Sequence, residues 1–322
     1  MKFSDHAVSV LALLSFKGVG RAWVIKNVFG PAPDEFWVGV MNNDTKLANI
    51  NEFEFKQRKS LIKSRLDMMA SNTDGVVVIG DSAFPQHRGD VKNSEKPVAL
   101  FYRGDISLLS RANKNMAVIG LLNPDTDTIE VEQKVVATLV ENNICIVSGL
   151  AQGCDTVAHV QCLESGGKTI AVLPSPLHGI LPTVNRSLAE QIVKKGGLLV
   201  TEYYEDVSSK MELSGRYQER DRLQALFSDA IILAASYAKN DVGLDSGSRL
   251  AMGYALNYGL PRAILYDKER NYSNPKYDLN RQVLAEPDQT TVIHSGCIRE
   301  SIQGLLKIYL DNRQPTEQVG LF

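Results

Sequence analysis

From residue 116 onward, short apolar segments alternate with stretches of helical periodicity, and this alternation constrains the fold more than any other feature of the chain. The apolar segments are rich in Val, Ile and Leu, as buried parallel strands are. Between the first two, residues 129–142 carry apolar side chains at i,i+4 spacing. The six predicted strands are residues 116–119, 144–147, 169–173, 198–201, 230–233 and 263–266. The pattern predicts an α/β fold with a parallel sheet covered by helices on both faces.

Residues 144–169 contain the strongest candidate for a ligand site on that sheet. An apolar strand leads into the small-residue turn 148–153 (SGLAQG), and a helical pattern begins near Asp155. Backbone N–H groups at such a helix start bind anions, and ligands of parallel sheets lie beyond the carboxyl ends of the strands. We therefore expect an anion at this turn. The alternatives are a plain strand-to-helix connection and an Asp155 that caps the helix.

Two further segments are predicted to lie at the same edge of the sheet. Arg216, Arg220 and Arg222 precede the strand at 230–233, and their forked guanidinium groups suit a phosphate-binding cleft. A solvated helix start with local pairing to Glu and Asp is the alternative interpretation. A second small-residue turn, 245–248 (DSGS), precedes Arg249 and a predicted helix over 250–258. Two anion cradles and an arginine cluster are thus expected together.

The N-terminal 70 residues follow a helical pattern, with a second helical stretch over 51–69. Between two short helices, Gly18-Val19-Gly20 resembles the hairpin of a helix-hairpin-helix element, whose amides can meet DNA phosphate; a structural turn is the alternative. Two more strands are predicted at 76–79 and 98–102. We predict a helical domain over 1–70, an α/β domain over 71–310 and a flexible tail over 311–322.

The composition disfavours several classes of protein but does not identify one function. The net charge of −2 over 322 residues gives no global sign of nucleic-acid binding, although a local basic groove is compatible with it. No apolar run approaches the length of a membrane span, and the N-terminus lacks the arrangement of a secretory signal. Four cysteines without C-x-x-C pairing predict reduced thiols in a cytoplasmic protein. Five scattered histidines make a zinc site unexpected.

Taken in order along the chain, these segments resemble the DNA-processing protein A family (DprA, also called Smf). The helical N-terminal region with Gly18-Val19-Gly20 looks like that family's SAM-like domain. The resemblance covers nearly the whole chain. Its motifs are residues 81–85 (DSAFP), 96–105 (KPVALFYRGD), 148–155 (SGLAQGCD), Ala158-His159, 166–173 (GGKTIAVL), Pro182, Asn185, Thr201-Glu202, Arg220-Asp221-Arg222 and Ser246-Gly247-Ser248.

The resemblance implies a Rossmann-like fold and a protein that binds single-stranded DNA, forms homodimers and loads the recombinase RecA during natural transformation. It implies no catalytic residue, cofactor or metal. Backbone amides and arginines would then hold phosphates without reading bases. The residues expected to contact nucleic acid or phosphate are Gly120, Ser148, Gly149, Leu150, Ala151, Gln152, Gly153, Asp155, His159, Asn185, Arg216, Arg220, Arg222, Ser246, Gly247, Ser248 and Arg249.

Three positions depart from the pattern of that family. Gly120-Leu121-Leu122 stands where the family usually has Gly-Ser-Arg, so an apolar pair replaces a phosphate-binding arginine. Asp221 replaces the usual asparagine and brings a carboxyl group into the predicted cleft. Arg249 follows the Ser-Gly-Ser turn, where the family tends to be apolar, and could restore the lost positive charge.

The last five residues, Gln318-Val319-Gly320-Leu321-Phe322, resemble the short peptide by which bacterial replication proteins bind the sliding clamp. Gln318, Leu321 and Phe322 would be its anchors in a peptide-in-groove complex.

Two other functions remain open. Phosphoribohydrolases share the Rossmann core, but residues 249–256 after the second turn contain no carboxylate to serve as general acid or base. The third hypothesis is a nucleotide sensor, because the apolar wall of Leu121 and Leu122 suits a base ring better than a phosphate.

Overall fold

The computed structural model describes residues 2–44, 50–239, 247–288 and 290–312. Its N-terminal part is helical, as predicted, and contains one helix more than the sequence pattern indicated. Gly18, with a φ of 98°, lies in the connection between the first two helices. The extra helix is the third; the four are α1 (Asp5–Leu14), α2 (Arg21–Asn27), α3 (Asp34–Asn42) and α4 (Glu52–Met68).

The described strands form one sheet in the order β1-β2-β6-β5-β4-β3-β7-β8-β9. Strands β3 to β9 are parallel, whereas β2 runs antiparallel to both of its neighbours, β1 and β6. All eight predicted strands are confirmed and β9 is an addition. The strands are β1 (Gly75–Val78), β2 (Ala99–Gly104), β3 (Asn115–Ile119), β4 (Cys145–Ser148), β5 (Thr169–Val172), β6 (Leu198–Thr201), β7 (Ala230–Leu233), β8 (Arg262–Leu265) and β9 (Thr290–Ile293).

Helices cover both faces of this sheet, because successive strand residues point to opposite sides. In β6, Leu198 and Val200 pack in one hydrophobic core and Leu199 packs in the other. The covering helices are α5 (Thr126–Glu141), α6 (Cys154–Glu164), α7 (Arg186–Lys194), α8 (Lys210–Leu226), α9 (Gly247–Asn257), α11 (Asp278–Ala285) and α12 (Ile298–Asn312), and the short helix α10 (Lys268–Asn271) has no buried residue. The last helix ends two residues inside the predicted tail.

The N-terminal helices are packed directly on the sheet. Trp37 and Phe55 share a core with Phe101 of β2 and Leu199 of β6. The region 1–70 therefore lies against one sheet face, and the domain boundary at residue 70 stays a prediction. No helix of the described ranges is long and apolar enough to cross a membrane.

The order of the parallel strands places a crevice beside β3. From β3 the chain winds outward to β6, and then it returns to β7, which pairs with the other side of β3 through Ala117 and Ile231. Loops leaving the carboxyl ends of β3 and β7 diverge at this point, which is where α/β sheets bind ligands.

Candidate nucleic-acid interface

A cavity of about 480 Å³ opens beside the carboxyl end of β3, between the starts of α6 and α9 and one side of α8. It joins the loops that the sequence analysis predicted to meet. The described residues that line it are Ile119, Gly120, Leu122, Ala151, Gln152, Asp155, Pro182, Tyr217, Arg220, Asp221, Gln224, Gly247, Ser248 and Ala251.

The turn between β4 and α6 is closed by its own helix. The Asp155 carboxylate accepts hydrogen bonds from the backbone N–H groups of Gly149 and Ala151, each at 3.2 Å. Burial raises the pKa of Asp155, against the opposing effects of Arg220 and these amides. The expectation that the two amides face an outside anion is therefore wrong in this structure, because the Asp155 carboxylate lies where such an anion would accept their hydrogen bonds.

Gly149 makes room for the Arg220 side chain. A Cβ atom at residue 149 would lie 1.6 Å from Arg220 Nη1, so only glycine allows this approach. The guanidinium is 5% exposed and lies 3.3 Å from the Asp221 carboxylate and 4.0 Å from that of Asp155. Arg220 thus joins the turn to α8 and is flanked by two buried carboxyl groups.

Asp221 faces the cavity from α8. Burial is the main cause that raises its pKa to about 7, although Arg220 favours the charged form. Its Oδ1 accepts a hydrogen bond from Gln224 Nε2 at 3.0 Å. A Cβ on Gly247 would lie 2.5 Å from Asp221 Oδ2, so a side chain at this position would displace the Asp221 carboxyl group.

Three predicted contact residues brace the turn from inside. Ser148 Oγ donates to the carbonyl of Val118 at 2.7 Å, and Asn185 Nδ2 donates to the carbonyl of Leu150 at 2.8 Å. His159 is fully buried and hydrogen-bonded to Thr169 at 2.7 Å; burial lowers its pKa to about 3. None of these three residues lines the cavity. Leu150, also predicted, is buried with a φ of 59°.

The prediction that three arginines line one cleft is wrong, because only Arg220 of the three lines the cavity. Arg222 is 2% exposed and lies 2.6 Å from the Glu202 carboxylate. Arg216 is bound to Glu212 and stacks over Tyr203. Two residues span about 200° of an α-helix, so Arg220 and Arg222 point to opposite sides of α8.

The loop after β3 is fixed against the start of α6. Cys154 donates its backbone N–H to the carbonyl of Leu121 at 2.9 Å, and Gly153 adopts a φ of 76° where a Cβ would lie 2.1 Å from that carbonyl oxygen. A Cβ on Gly120 would lie 2.6 Å from Cys154 Sγ. This contact leaves Leu122 in the cavity wall, 64% exposed.

The second predicted turn contributes Gly247 and Ser248 to the same cavity, and Ser248 Oγ donates to the carbonyl of Gly120 at 3.2 Å. Arg249 lines an adjoining cavity of about 450 Å³ instead, together with Lys210. Ser246 lies outside the described residues, as do the tail residues Gln318, Leu321 and Phe322. Within the described ranges, no three or more His, Cys, Asp or Glu side chains are grouped so that they could hold a metal ion.

Gln224 is a cavity residue that the sequence analysis missed. It follows Tyr217, Arg220 and Asp221 at helical spacing on α8, and all four line the cavity. That i,i+3/i+4 pattern was available in the sequence and could have identified Gln224.

Comparison with known proteins places the chain in a family. Residues 75–286 match the model of the family described as DNA recombination-mediator protein A. DNA processing protein DprA from Streptococcus pneumoniae is 31% identical over 179 residues, which are 56% of this chain and 58% of that protein. Protein Smf from Synechocystis is 34% identical over 161 residues, which are 49% of this chain and 38% of that protein. The chain thus matches about half the length of these curated relatives, or less.

Solved structures of the same group share the fold. DNA processing protein A from Streptococcus pneumoniae superposes with a TM-score of 0.66 at 22% identity, covering 94% of this chain and 98% of that one. DNA processing protein A from Helicobacter pylori, whose structure describes a single-stranded DNA binding mode, superposes with a TM-score of 0.56 at 26% identity over 73% of this chain and 97% of that one. With the family model matching residues 75–286, this chain belongs to the DNA recombination-mediator protein A family.

Proposed function

We propose that this chain binds single-stranded DNA as a non-catalytic recombination mediator, and that the cavity beside β3 is part of its DNA-binding surface. Membership of the recombination-mediator family over residues 75–286 carries the proposal. The Helicobacter pylori relative, with its single-stranded DNA binding mode, supports the same ligand class.

The chemistry of the cavity region is compatible with a flexible strand. Leu122 and Tyr217 offer apolar and aromatic surface on which bases can stack. Lys210 and Arg249 lie in the adjoining cavity, which shares Tyr217, Asp221 and Gly247 with the first. A strand that crosses both cavities would place bases in the first and backbone near the cationic side chains of the second.

The test is an equilibrium titration of labelled single-stranded and double-stranded oligonucleotides at two salt concentrations. We expect tighter binding to the single strand, with a salt dependence that gains about 0.7 in slope for each neutralised phosphate. Affinity at low salt no better than that of an unrelated acidic protein would overturn the proposal.

Partners and location are part of this proposal and rest on the resemblance to the family. We propose a cytoplasmic homodimer that loads RecA and that binds the sliding clamp through Gln318, Leu321 and Phe322. Size-exclusion chromatography with light scattering tests the dimer, and strand-exchange assays test RecA loading.

The proposed clamp contact is tested by measuring the binding of the sliding clamp to the Leu321→Ala and Phe322→Ala variants, which should lose it.

A second candidate function, nucleoside monophosphate hydrolysis, gains one observation from the structure. The sequence offers no carboxylate after the second turn, yet α8 brings Asp221 against Gly247. A carboxyl group with a pKa of about 7 has the proton affinity that general acid or base chemistry needs. Incubation with nucleoside monophosphates and detection of free base separates this function from DNA binding.

A nucleotide sensor is the third candidate, supported by the exposure of Leu122 in the cavity wall. A small nucleotide that copurifies with the protein would favour it. Nucleotide-free protein with tight oligonucleotide binding would contradict it.

A further inference from the structure

Two carboxyl groups and one guanidinium are buried together at the cavity beside β3. Asp155, Arg220 and Asp221 form this buried trio, and each of them is 3–6% exposed. Arg220 Nη1 lies 4.0 Å from Asp155 Oδ2 and 3.3 Å from Asp221 Oδ1. One guanidinium balances one carboxylate, so the buried trio is negatively charged when both carboxyl groups are ionised. A proton on either carboxyl group makes it neutral.

The hydrogen bonds of the two carboxyl groups indicate which of them takes that proton. Asp155 accepts from the backbone N–H groups of Gly149 and Ala151, each at 3.2 Å. Asp221 Oδ1 accepts from the side-chain amide of Gln224 at 3.0 Å. Backbone N–H groups that donate to a carboxylate favour its charged form. Asp155 is therefore the better place for the negative charge, and Asp221 is the better place for the proton.

Burial raises the pKa of both carboxyl groups, because their charged forms lose hydration. The pKa of Asp221 rises to about 7. That of Asp155 is raised as well, against the effects of Arg220 and of the turn amides. Two carboxyl groups that share one cation titrate as a pair. The charge of the buried trio therefore changes over the neutral pH range.

The other described ionisable side chains that face Asp221 do not titrate close to neutral pH. Lys210 and Tyr217 of α8 and Arg249 of α9 line the adjoining cavity together with Asp221. Burial raises the pKa of Tyr217 and of Tyr254 on α9, and the Asp221 carboxylate adds to the rise at Tyr254. Lysine, arginine and tyrosine side chains ordinarily titrate far above neutral pH.

The ionisable groups behind Asp155 belong to the protein core. Burial lowers the pKa of His159 to about 3, so its imidazole is uncharged at neutral pH. Burial raises the pKa of the Glu132 carboxyl group and of the Cys154 thiol, so both bind their protons more tightly than usual. All three side chains are fully buried, and a substitution of Asp221 leaves them in place.

We propose that the binding of single-stranded DNA is coupled to the uptake of a proton at Asp221. The strand is a polyanion, so its phosphates favour the neutral form of the buried trio over the negatively charged form. The coupling is reciprocal: DNA strengthens proton binding, and the proton strengthens DNA binding. The inference rests on the proposed function, since it specifies how DNA binding responds to pH. The usual asparagine of the family cannot bind this proton, so the response is particular to this chain.

The size of the effect follows from the distance between the strand and the carboxyl group. A phosphate about 10 Å from a carboxyl group, at an effective dielectric constant of about 20, strengthens proton binding about tenfold. The pKa of Asp221 is then higher in the complex than in the free protein, so affinity is greatest at low pH. It should fall roughly fivefold to tenfold as the pH rises from about 6 to about 8.5.

The experiment is an equilibrium titration of labelled oligodeoxythymidine over this pH range at one salt concentration. Neither thymine nor the phosphodiester group titrates in the range, so the pH dependence belongs to the protein. We expect the wild-type affinity to fall as stated, whereas Asp221→Asn should bind with one affinity throughout.

Calorimetry of the wild-type protein gives a second readout that needs no variant. Titrations in two buffers of different ionisation enthalpy, PIPES and imidazole, count the protons taken up when DNA binds. We expect an uptake of about half a proton for each strand bound near pH 7.5.

Asp67→Asn is the matched control, because it makes the same chemical change at an exposed position on α4. It should keep the wild-type pH dependence. A wild-type affinity that is constant over the range, or binding without proton uptake, would overturn the inference and leave the proposed function standing. A fall in affinity that Asp221→Asn shares in full would overturn the assignment to Asp221. If the oligonucleotide does not bind at any pH, the proposed function fails, and this inference fails with it.

Discussion

The turn before α6 and the cavity-facing side of α8 meet at the same edge of the sheet but differ in how their polar groups are used. In the turn, the amides of Gly149 and Ala151 are satisfied by Asp155. On α8, Gln224 Oε1 and Arg220 Nε are buried without partners. The segment with the stronger motif is therefore closed on itself, whereas the segment with the weaker motif supplies four of the residues that line the cavity. The comparison teaches that a conspicuous loop can support a cavity wall that is formed by a less conspicuous helix.

Arg222→Ala tests whether the side of α8 that faces away from the cavity contributes to stability rather than to binding. Among the variants proposed, it should lower the free energy of unfolding the most. It leaves the Glu202 carboxylate, 10% exposed, without its closest cation, and breaking a buried pair costs about 3 kcal/mol. Urea unfolding measures this loss. Because Arg222 does not line the cavity, the salt dependence of DNA binding by the folded protein should be unchanged. A shallower salt dependence in the variant would show that Arg222 does contact DNA phosphate.

Arg103→Ala is the control for that variant. Its bidentate pair with Glu190 is solvent-accessible, and such a pair is worth about 0–1 kcal/mol. Similar losses for the two variants would contradict the distinction between buried and exposed pairs.

Gly149→Ala tests the contact between the turn and α8. The added Cβ would lie 1.6 Å from Arg220 Nη1, so the buried guanidinium must move, and overpacking of this kind costs about 1–3 kcal/mol. DNA affinity should fall with stability because Arg220 is displaced. Gly215→Ala in α8 meets no atom within 4 Å and should instead stabilise the helix by about 0.5–1 kcal/mol. Unchanged stability of Gly149→Ala would show that the turn and α8 are not tightly joined.

The pH dependence of the free energy of unfolding tests the raised pKa of Asp221. Its folded pKa of about 7 lies above the unfolded value of about 3.9, so the folded state binds the proton more tightly. Stability is therefore lost as the pH rises from about 4 through 7. Asp221→Asn removes this loss and keeps that of Asp155, so its stability relative to wild type should rise by about 2–3 kcal/mol between pH 5 and pH 7.5. A constant difference across that range would contradict the raised pKa.

Leu122→Arg should have the smallest effect on stability, because Leu122 is 64% exposed. It adds a cation at the cavity mouth, and one further phosphate contact increases the slope of log affinity against log salt by about 0.7. Titration at several salt concentrations measures this slope. Leu122→Gln is the uncharged control, and an equal slope for both variants would exclude a phosphate near this position.

Most strands and helices could be predicted from the sequence, because each core strand is apolar enough to be identified from its own residues. The sequence analysis missed β9, whose burial is partial except at Ile293, and α3, of which only Trp37 and Met41 are buried. The antiparallel insertion of β2 was not indicated either, since strand direction is set by tertiary pairing rather than by composition.

The candidate site was predicted in location but not in detail. Helical geometry alone could have separated Arg220 from Arg222, since two residues on a helix point to opposite sides. The contact of Asp155 with the turn depends on the φ values of Leu150 and Gly153, 59° and 76°, which a residue pattern does not specify. For the same reason, Ser148, His159 and Asn185 could not be recognised as braces before the path of the turn was known.

The position of β2 has a consequence for how the chain is made. Phe101 of β2 pairs with Val76 of β1 on one side and with Thr201 of β6 on the other, so the hairpin of β1 and β2 joins the rest of the sheet only after much of the α/β region has been synthesised. Contacts of such sequence separation slow folding, and partly made chains expose strand edges that invite aggregation. Residues 2–104, although they leave the ribosome before β6, are therefore expected to be among the last of the described residues to acquire their native packing.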